Sequence, residues 1–462
     1  MADTMTDVPT DSTPTVVNEW LEGNFAPVHD EHTITELEVD GEIPPDLDGR
    51  LLRIGPNPVT PPDPSTYHWF TGTGMVHGLR LRDGKAEWYR NRFVRNSDVV
   101  EARGGPPVPG PRAEMFDGAN TNVIGLAGKT FAIVEAGSHP VELTHDLETV
   151  ANSDFDGTLP AGFTAHPHRD PDTGERHAVA YQWDLPYLQY LTIGTNGAVR
   201  RVVQVPVDDG PMVHDCAITE SSVLLFDQPV TFDLELGMEG RFPYRWNPGH
   251  GSRVGVLPRD GEADDVRWCE APLCYVFHPL NAYDLPDGRI VVDLVKHPSM
   301  FDHRLDGPDE GTPVLERWTL DPANGTTSTE TISDRGQEFP RLDERLTGRR
   351  HRFGYSASFD ERPGHVPSLG SILKHDVERG STEVHDFGPG VGAQEPVFVP
   401  RAADSDEDDG WVMVYAHDHA RNAADVHILH AQDFDGAPVA TIHLPVRVPY
   451  GFHGNWVAET GS

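Results

Sequence analysis

Basic residues, cysteines and long apolar runs are what this 462-residue chain has least of. Lysine occurs only at Lys85, Lys129, Lys296 and Lys374, and Lys+Arg 36 stand against Asp+Glu 74, a formal charge of −38. Phosphate binding needs clustered cationic side chains, so nucleic acid is excluded as a partner class. No uninterrupted apolar run approaches the ~18 residues of a membrane-spanning helix. The first residues, MADTMTDVPTDSTPTVV, are acidic and lack the basic start and apolar stretch of a secretory signal. The expectation is a cytoplasmic protein. Three cysteines, Cys216, Cys269 and Cys274, are an odd number with no CxxC pair. A disulfide framework and a thiolate metal site are both excluded, and each thiol is expected as buried apolar filler. The acid excess reads as adaptation to concentrated salt, where charges are screened over ~3 Å at 1 M, and a halophilic archaeon is the expected source. Its densest run, Asp404 to Asp409, is expected as a solvated loop.

Turn formers are plentiful: Gly 45 and Pro 41 are spread along the chain without a period. Residues 1–18 are a polar Thr/Asp/Pro-rich lead with nothing to bury, expected to be disordered. From Glu19 onward short apolar runs alternate with turn signals, as in TNVIGLAGKTFAIVEAG (121–137), SSVLLFDQPVTFDLEL (221–236) and DGRIVVDLV (287–295). Short runs rich in Val, Ile and aromatics, bounded by Gly, Asp, Asn or Pro, are strand punctuation. Helix signals are few; Asp46–Gly49 and Asp343–Thr347 are expected to make a turn or two each. The pattern continues to Trp456 without a linker, so residues 19–462 read as one all-β domain. A sandwich rarely reaches this size, whereas a propeller does so by repeating four-stranded blades.

The chain carries 24 histidines, far more than one site can use. Most are expected at the surface, including the pairs His417/His419 and His427/His430 after the acidic loop. Four stand in apolar strand contexts: His166 in FTAHPH, His214 in PMVHDCAI, His278 in YVFHPLNAY and His453 in PYGFHGNW. In a propeller the innermost strand of each blade lines the axis, so long, blade-sized separations would suit convergence there. Spacing alone leaves open whether they meet. Four neutral imidazoles would suit Fe, Cu, Zn or Ni. Ligating histidines usually have their other ring nitrogen held by a carboxylate or carbonyl. Glu135 in FAIVEAG, Glu338 in QEFPR and Glu395 in QEPVFVP stand in apolar settings where an unpaired carboxylate is costly. Each is either such an orienting group or a strand-end acid facing solvent.

Taken together, the segments resemble the carotenoid cleavage oxygenase family over nearly the whole chain. The resemblance runs through GNFAPV (23–28), EIPPDLDGRLLRIGPNP (42–58), HWFTGTGMVHG (68–78) and ANTNVIG (119–125). It continues through AHPHRDPDTGE (165–175), HDCAITE (214–220), FHPLNAYD (277–284), EFPR (338–341), EPVFVPR (395–401) and HLPVRVPYGFHGNW (443–456). It implies a seven-bladed β-propeller capped by loops and short helices over a hydrophobic tunnel. It also implies one iron(II) per chain, held on the axis by His166, His214, His278 and His453. Glu135, Glu338 and Glu395 match the glutamates that orient three of those histidines in the family. In AHPH the first histidine holds the family's position, which excludes His168. His77 and Arg53 fall in family-like segments and are expected to be structural hydrogen-bonding residues. Ile54 replaces the usual Asn of RNGPNP, and Asp284 stands where Glu often follows NAY; neither touches the ligand set. Many relatives place a membrane-dipping apolar patch near the tunnel mouth; the stretch 97–116 carries few large apolar side chains, so peripheral membrane contact is expected to be weak.

The implied reaction is cleavage of a conjugated C=C bond by O2 to two carbonyl products, with regioselectivity set by how deeply a polyene sits in the tunnel. Stilbene-cleaving members use a Lys directly before the first orienting glutamate; Val134 occupies that place, so a carotenoid or apocarotenoid is the expected substrate. Aromatics in LPYLQYL (185–191) are candidate tunnel residues. Alternatives are stilbene cleavage, ester-cleaving isomerisation of a retinoid and, from another class, a metal-free propeller acting as a binding scaffold.

Overall fold

The computed structural model describes residues 17–113, 116–308, 310–360 and 368–459. Seven sheets are arranged as the blades of a propeller. Blade 1 joins the two ends of the chain: Gly454–Ala458 is its innermost strand, followed outward by Gly49–Pro56, Gly74–Arg82, Lys85–Phe93 and Thr33–Ile34. Blades 2 to 6 follow in chain order, their innermost strands being Asn122–Leu126, His168–Arg169, Cys216–Ile218, Pro279–Asp284 and Gln337–Arg341. Blade 7 starts with Val391–Ala393 and Val397–Pro400 and takes its outermost strand, Glu38–Gly41, from the N-terminal region. The ring is thus closed twice by strand exchange between the chain's ends. A Cβ on Gly454 would lie 2.2 Å from the Leu52 carbonyl oxygen, so the closing strand needs glycine beside His453.

The apolar pattern follows from this stacking. Middle strands are covered on both faces by neighbouring blades, so Ser222–Asp227 is buried throughout and reads as a continuous run. The outer strand Val199–Pro206 buries Val199, Val203 and Val205 and exposes residues between them. Core clusters lie between blades: Leu52, Ile54 and Val76 meet Val123, Ala132 and Val141, and Ile124 and Phe131 meet Ala178 and Leu191. The apolar runs within 121–137 pair as a hairpin that turns at Ala127 and Gly128, with φ of 51° and 75°, the left-handed pair that matches strand twist.

Several expectations are corrected. The lead over residues 1–18 lies outside the described residues except for Val17 and Asn18, and Asn18 is buried, donating to the carbonyls of Pro64 and Tyr67. Asp46–Gly49 forms no helix: Leu47 N–H closes a turn on the Pro44 carbonyl, and Gly49 already begins a strand. Asp343 does cap one helical turn, Glu344–Leu346. Two helices were not anticipated. Ser97–Arg103 has the Asn96 side chain accepting from Val99 N–H at its start and Gly104 after its end; Leu234–Met238 is capped by Asp233. Both are signalled by their caps rather than by apolar periodicity. His417 is buried rather than exposed, and His427 and His430 are half-buried. The acidic run is a loop, but an ion-paired one: Asp408 holds Lys374 at 3.0 Å and Asp409 holds Arg401 at 2.8 Å. The three cysteines are free and buried, as expected.

Candidate metal centre

The innermost strands converge on the axis, and every blade places one residue there. His453, His166, His214 and His278 stand one or two residues before the inner strands of blades 1, 3, 4 and 5. Glu135 follows the second strand of blade 2, Glu338 lies in the inner strand of blade 6, and Glu395 sits between the two inner strands of blade 7. The backbone turns at the first two of these acids: Ala136 and Phe339, the residues after Glu135 and Glu338, have φ of 63° and 57°. Non-glycine residues adopt such angles at a cost, here where the strand bulges between Glu338 and Arg341.

The imidazoles meet through Nε2: His166 to His214 at 3.0 Å, His214 to His278 at 3.1 Å and His278 to His453 at 3.1 Å. On the far side of the rings the carboxylates face Nδ1: Glu135 on His214 at 2.7 Å, Glu338 on His278 at 2.6 Å and Glu395 on His453 at 2.9 Å. A carboxylate accepts, so each Nδ1 carries the proton and leaves the Nε2 lone pair facing the axis. Lone pairs aimed at one point repel one another unless a cation lies between them. With a metal–imidazole bond of about 2.1 Å, nitrogens at right angles lie about 3.0 Å apart, against about 3.4 Å for a tetrahedron. The observed spacings match the right-angled case, which leaves room for further ligands. The donor set fits a divalent metal of intermediate softness.

Electrostatics hold all three acids ionised and two of the rings neutral, while at His278 burial opposes charge but Glu338 outweighs it and draws the ring upward. Burial opposes charge on Glu395, but Arg341 and His453 outweigh it and hold the carboxyl down at about 2. Burial likewise opposes charge on Glu338, and His278 with His297 hold it far below the usual range. Burial lowers His453 to about 4 against the pull of Glu395, and lowers His166 further, helped by the other three imidazoles.

On one side the centre closes an apolar cavity of about 620 Å³. Trp69, Phe70, Val134, Phe242, Phe277 and Phe452 are among its walls, with His214, His278 and His453 at its end. Its mouth carries the exposed side chains Trp183, Leu234 and Met238.

A family model described as retinal pigment epithelial membrane protein matches residues 25–458. The carotenoid cleavage oxygenase of Mycobacterium tuberculosis is 44% identical over 96% of this chain and 98% of its own length. The chain belongs to this family, the carotenoid cleavage oxygenases. Among solved structures, Pseudomonas brassicacearum lignostilbene dioxygenase superposes with a TM-score of 0.88 at 29% identity, over 97% of this chain and 100% of its own. A point mutant of Synechocystis apocarotenoid oxygenase superposes at 0.84 with 27% identity, over 96% and 98%.

Against the family pattern, His168 is turned away from the other four imidazoles, its Nε2 lying 2.7 Å from Asp215 Oδ1. His77 meets the Tyr89 hydroxyl at 2.9 Å and Arg53 donates to the Gly451 carbonyl at 2.9 Å, both structural as expected. Three participants escaped the sequence reading. His297 places Nε2 2.8 Å from Glu338 Oε1, so that carboxylate holds two imidazoles. Arg341 lies 3.2 Å from Glu395. Asp215 is the acid nearest His166 Nδ1, at 3.8 Å. Each stands inside a quoted segment or next to a strand end, but nothing in one sequence tells an inward arginine or aspartate from an outward one. The stretch 185–191 is not part of the tunnel: Tyr187–Ile193 is a blade strand, and the Tyr190 hydroxyl meets His177. Tunnel aromatics come instead from the segments around Trp69, Phe242 and Phe452.

Proposed function

We propose that this chain is an iron(II)-dependent dioxygenase that cleaves one conjugated C=C bond of a carotenoid or apocarotenoid. The observation that carries the reading is the aromatic-walled cavity ending on the four converging imidazoles. His166, His214, His278 and His453 would hold one Fe(II), and Glu135, Glu338 and Glu395 fix three of the rings in the tautomer that can bind it. When bound, that ion supplies the activation of O2. The products balance as two carbonyls: R–CH=CH–R′ and O2 give R–CHO and R′–CHO. The protein's own part is positioning. Phe70, Phe242 and Phe452 hold a flat polyene, exclude water and set which double bond meets the centre. No general acid is required, because neither carbonyl product needs a proton.

Val134, buried beside Glu135 in the tunnel wall, puts an apolar side chain where stilbene-cleaving members place a Lys and so favours a polyene over a phenolic stilbene; the cation lining this cavity is Arg241, beside Leu234 and Met238 rather than at that position. Likeness to a lignostilbene dioxygenase does not reverse this choice, since one fold serves both substrates. The purified protein, carrying near one iron per chain, is expected to bleach an apocarotenal under air and release aldehydes identifiable by mass. A hydroxystilbene should remain intact; stilbene cleavage with retained polyene colour would overturn the substrate choice, and absence of iron would favour the scaffold.

The reading extends to a single propeller domain that includes Asn18, to a cytoplasmic setting, and to a high-salt source suggested by the charge of −38. No helix among the described residues is long and apolar enough to cross a membrane. Peripheral contact is supported at the tunnel mouth rather than at 97–116: Leu234 is 59% exposed, Met238 81% and Trp183 40%. Glu235 and Glu239 flank them, which favours zwitterionic over anionic lipid. Wild-type protein should co-sediment weakly with phosphatidylcholine vesicles. Replacing Leu234 and Met238 by Asp should cut that binding at least tenfold, given about 1.5–3 kcal/mol for each large apolar side chain buried; unchanged sedimentation would remove this patch from consideration.

A further inference from the structure

The four imidazoles separate two cavities of different character. His214 lines only the apolar one and His166 only the second, while His278 and His453 line both. The second cavity, of about 790 Å³, follows the inner strands and reaches the exposed residues Lys129, His145 and Glu344. A hydrated divalent cation in the apolar cavity would shed its water against phenyl and indole rings that offer no ligand in return. In the second cavity it stays among polar groups. Most acids there are already matched by cations. Glu142 faces Lys129 at 2.7 Å, Arg341 lies between Glu344 at 2.8 Å and Glu395 at 3.2 Å, and Glu459 faces Arg50 and Arg80 at 3.9 Å. Asp215 differs: its Oδ1 accepts from the Cys216 N–H at 2.6 Å and lies 2.7 Å from His168, its Oδ2 lies 3.8 Å from His166, and no guanidinium or ammonium is in ion-pair range among the described residues. His168, Asp215 and Cys216 also bring their potential ligand atoms within 4.8 Å of one another, beside the main centre. The opposing charges are Arg169, which is exposed, and Arg176, whose guanidinium donates to the Pro167 and Gly125 carbonyls.

We infer that a divalent metal reaches the four imidazoles through the polar cavity, with Asp215 and His168 as the last hold before His166, while the apolar cavity admits substrate alone. The inference rests on the reading of the four histidines as a metal centre. It is tested on the full chain stripped of metal with a chelator, by adding Co(II) and following both the growth of its visible absorption and the final cobalt content. Asp215→Asn and His168→Gln should each slow uptake about tenfold, the lower end of the rate gain that a charged cleft provides. In His168→Gln, whose ring lies outside the four-imidazole set, final content and spectrum should match the wild type. Filling the apolar cavity with a C12 alkyl polyoxyethylene detergent, below its micelle concentration, should leave the rate unchanged. Wild-type rates in both variants, slowing by the detergent, or a lowered final cobalt content in His168→Gln would each overturn the route. Wild-type chain that takes up cobalt at no rate and carries no metal as purified would refute the metal centre itself, a separate failure.

Discussion

His278→Ala should leave the protein folded, without metal and without activity. The ring supplies one of the two nitrogens with close neighbours on both sides, 3.1 Å from both His214 and His453, so its removal opens the set of donors rather than trimming one end. Alanine brings no replacement ligand, and His297, on the other oxygen of the same glutamate, is held at 2.8 Å by Glu338. The fold should survive because the position is secured by backbone: Val295 N–H donates to the His278 carbonyl, and Pro279–Asp284 pairs with Ile290–Lys296 along its length. The local cost is that Glu338 loses its bond to Nδ1, about 1–3 kcal/mol for a buried acceptor left short, with His297 and the Phe339 N–H still satisfying it. Elemental analysis should read near zero metal per chain, with circular dichroism unchanged and thermal unfolding lowered by a few degrees. Retention of near-stoichiometric metal would show that His278 is not a ligand.

Much of this centre was legible in the chain because it sits where the sequence is least ambiguous. An imidazole or carboxylate inside a short apolar run, such as YVFHPLNAY or QEPVFVP, must be paired, and the strand punctuation around it locates it at a blade's inner edge. That reasoning found candidates but could not pair them: which glutamate meets which histidine depends on the order of blades around the ring, which spacing does not encode and the family resemblance only narrows. Blade number was likewise beyond the pattern, since the two closing strands, Glu38–Gly41 and Gly454–Ala458, pair with partners at the far end of the chain. The tunnel was the least legible part. Its aromatics come from capping segments with no periodicity, and a strand such as Tyr187–Ile193 looks equally aromatic while facing other blades. The exposed Leu234 and Met238 were hidden for a related reason: a five-residue helix is too short to show an apolar stripe.

The glutamates behind the rings should differ in what they contribute, and the hydrogen bonds say how. Glu395 uses both oxygens: Oε1 meets His453 Nδ1 at 2.9 Å and Arg341 at 3.2 Å, and Oε2 accepts from Gly454 N–H at 2.7 Å. In Glu395→Gln one oxygen becomes an amide donor. Either it faces His453 and Arg341 or it faces the Gly454 N–H, and in each orientation donor meets donor inside a buried site. The variant also leaves Arg341 with less compensating charge, Glu344 being its remaining ion-pair partner among the described residues. Metal affinity should fall about 10–100-fold, the usual scale for a group that orients a ligand, or about 1.4–2.8 kcal/mol. Glu135 is different. Its Oε1 holds His214 at 2.7 Å, but its Oε2 is buried without a hydrogen-bond partner among the described residues. A glutamine there can keep its oxygen on His214 and place its amide where no bond existed, so Glu135→Gln should lose less affinity than Glu395→Gln. Competition titration with a calibrated chelator measures both. A larger loss at position 135 than at 395 would mean that the charge of the acid, rather than the bonds that aim the ring, governs metal retention.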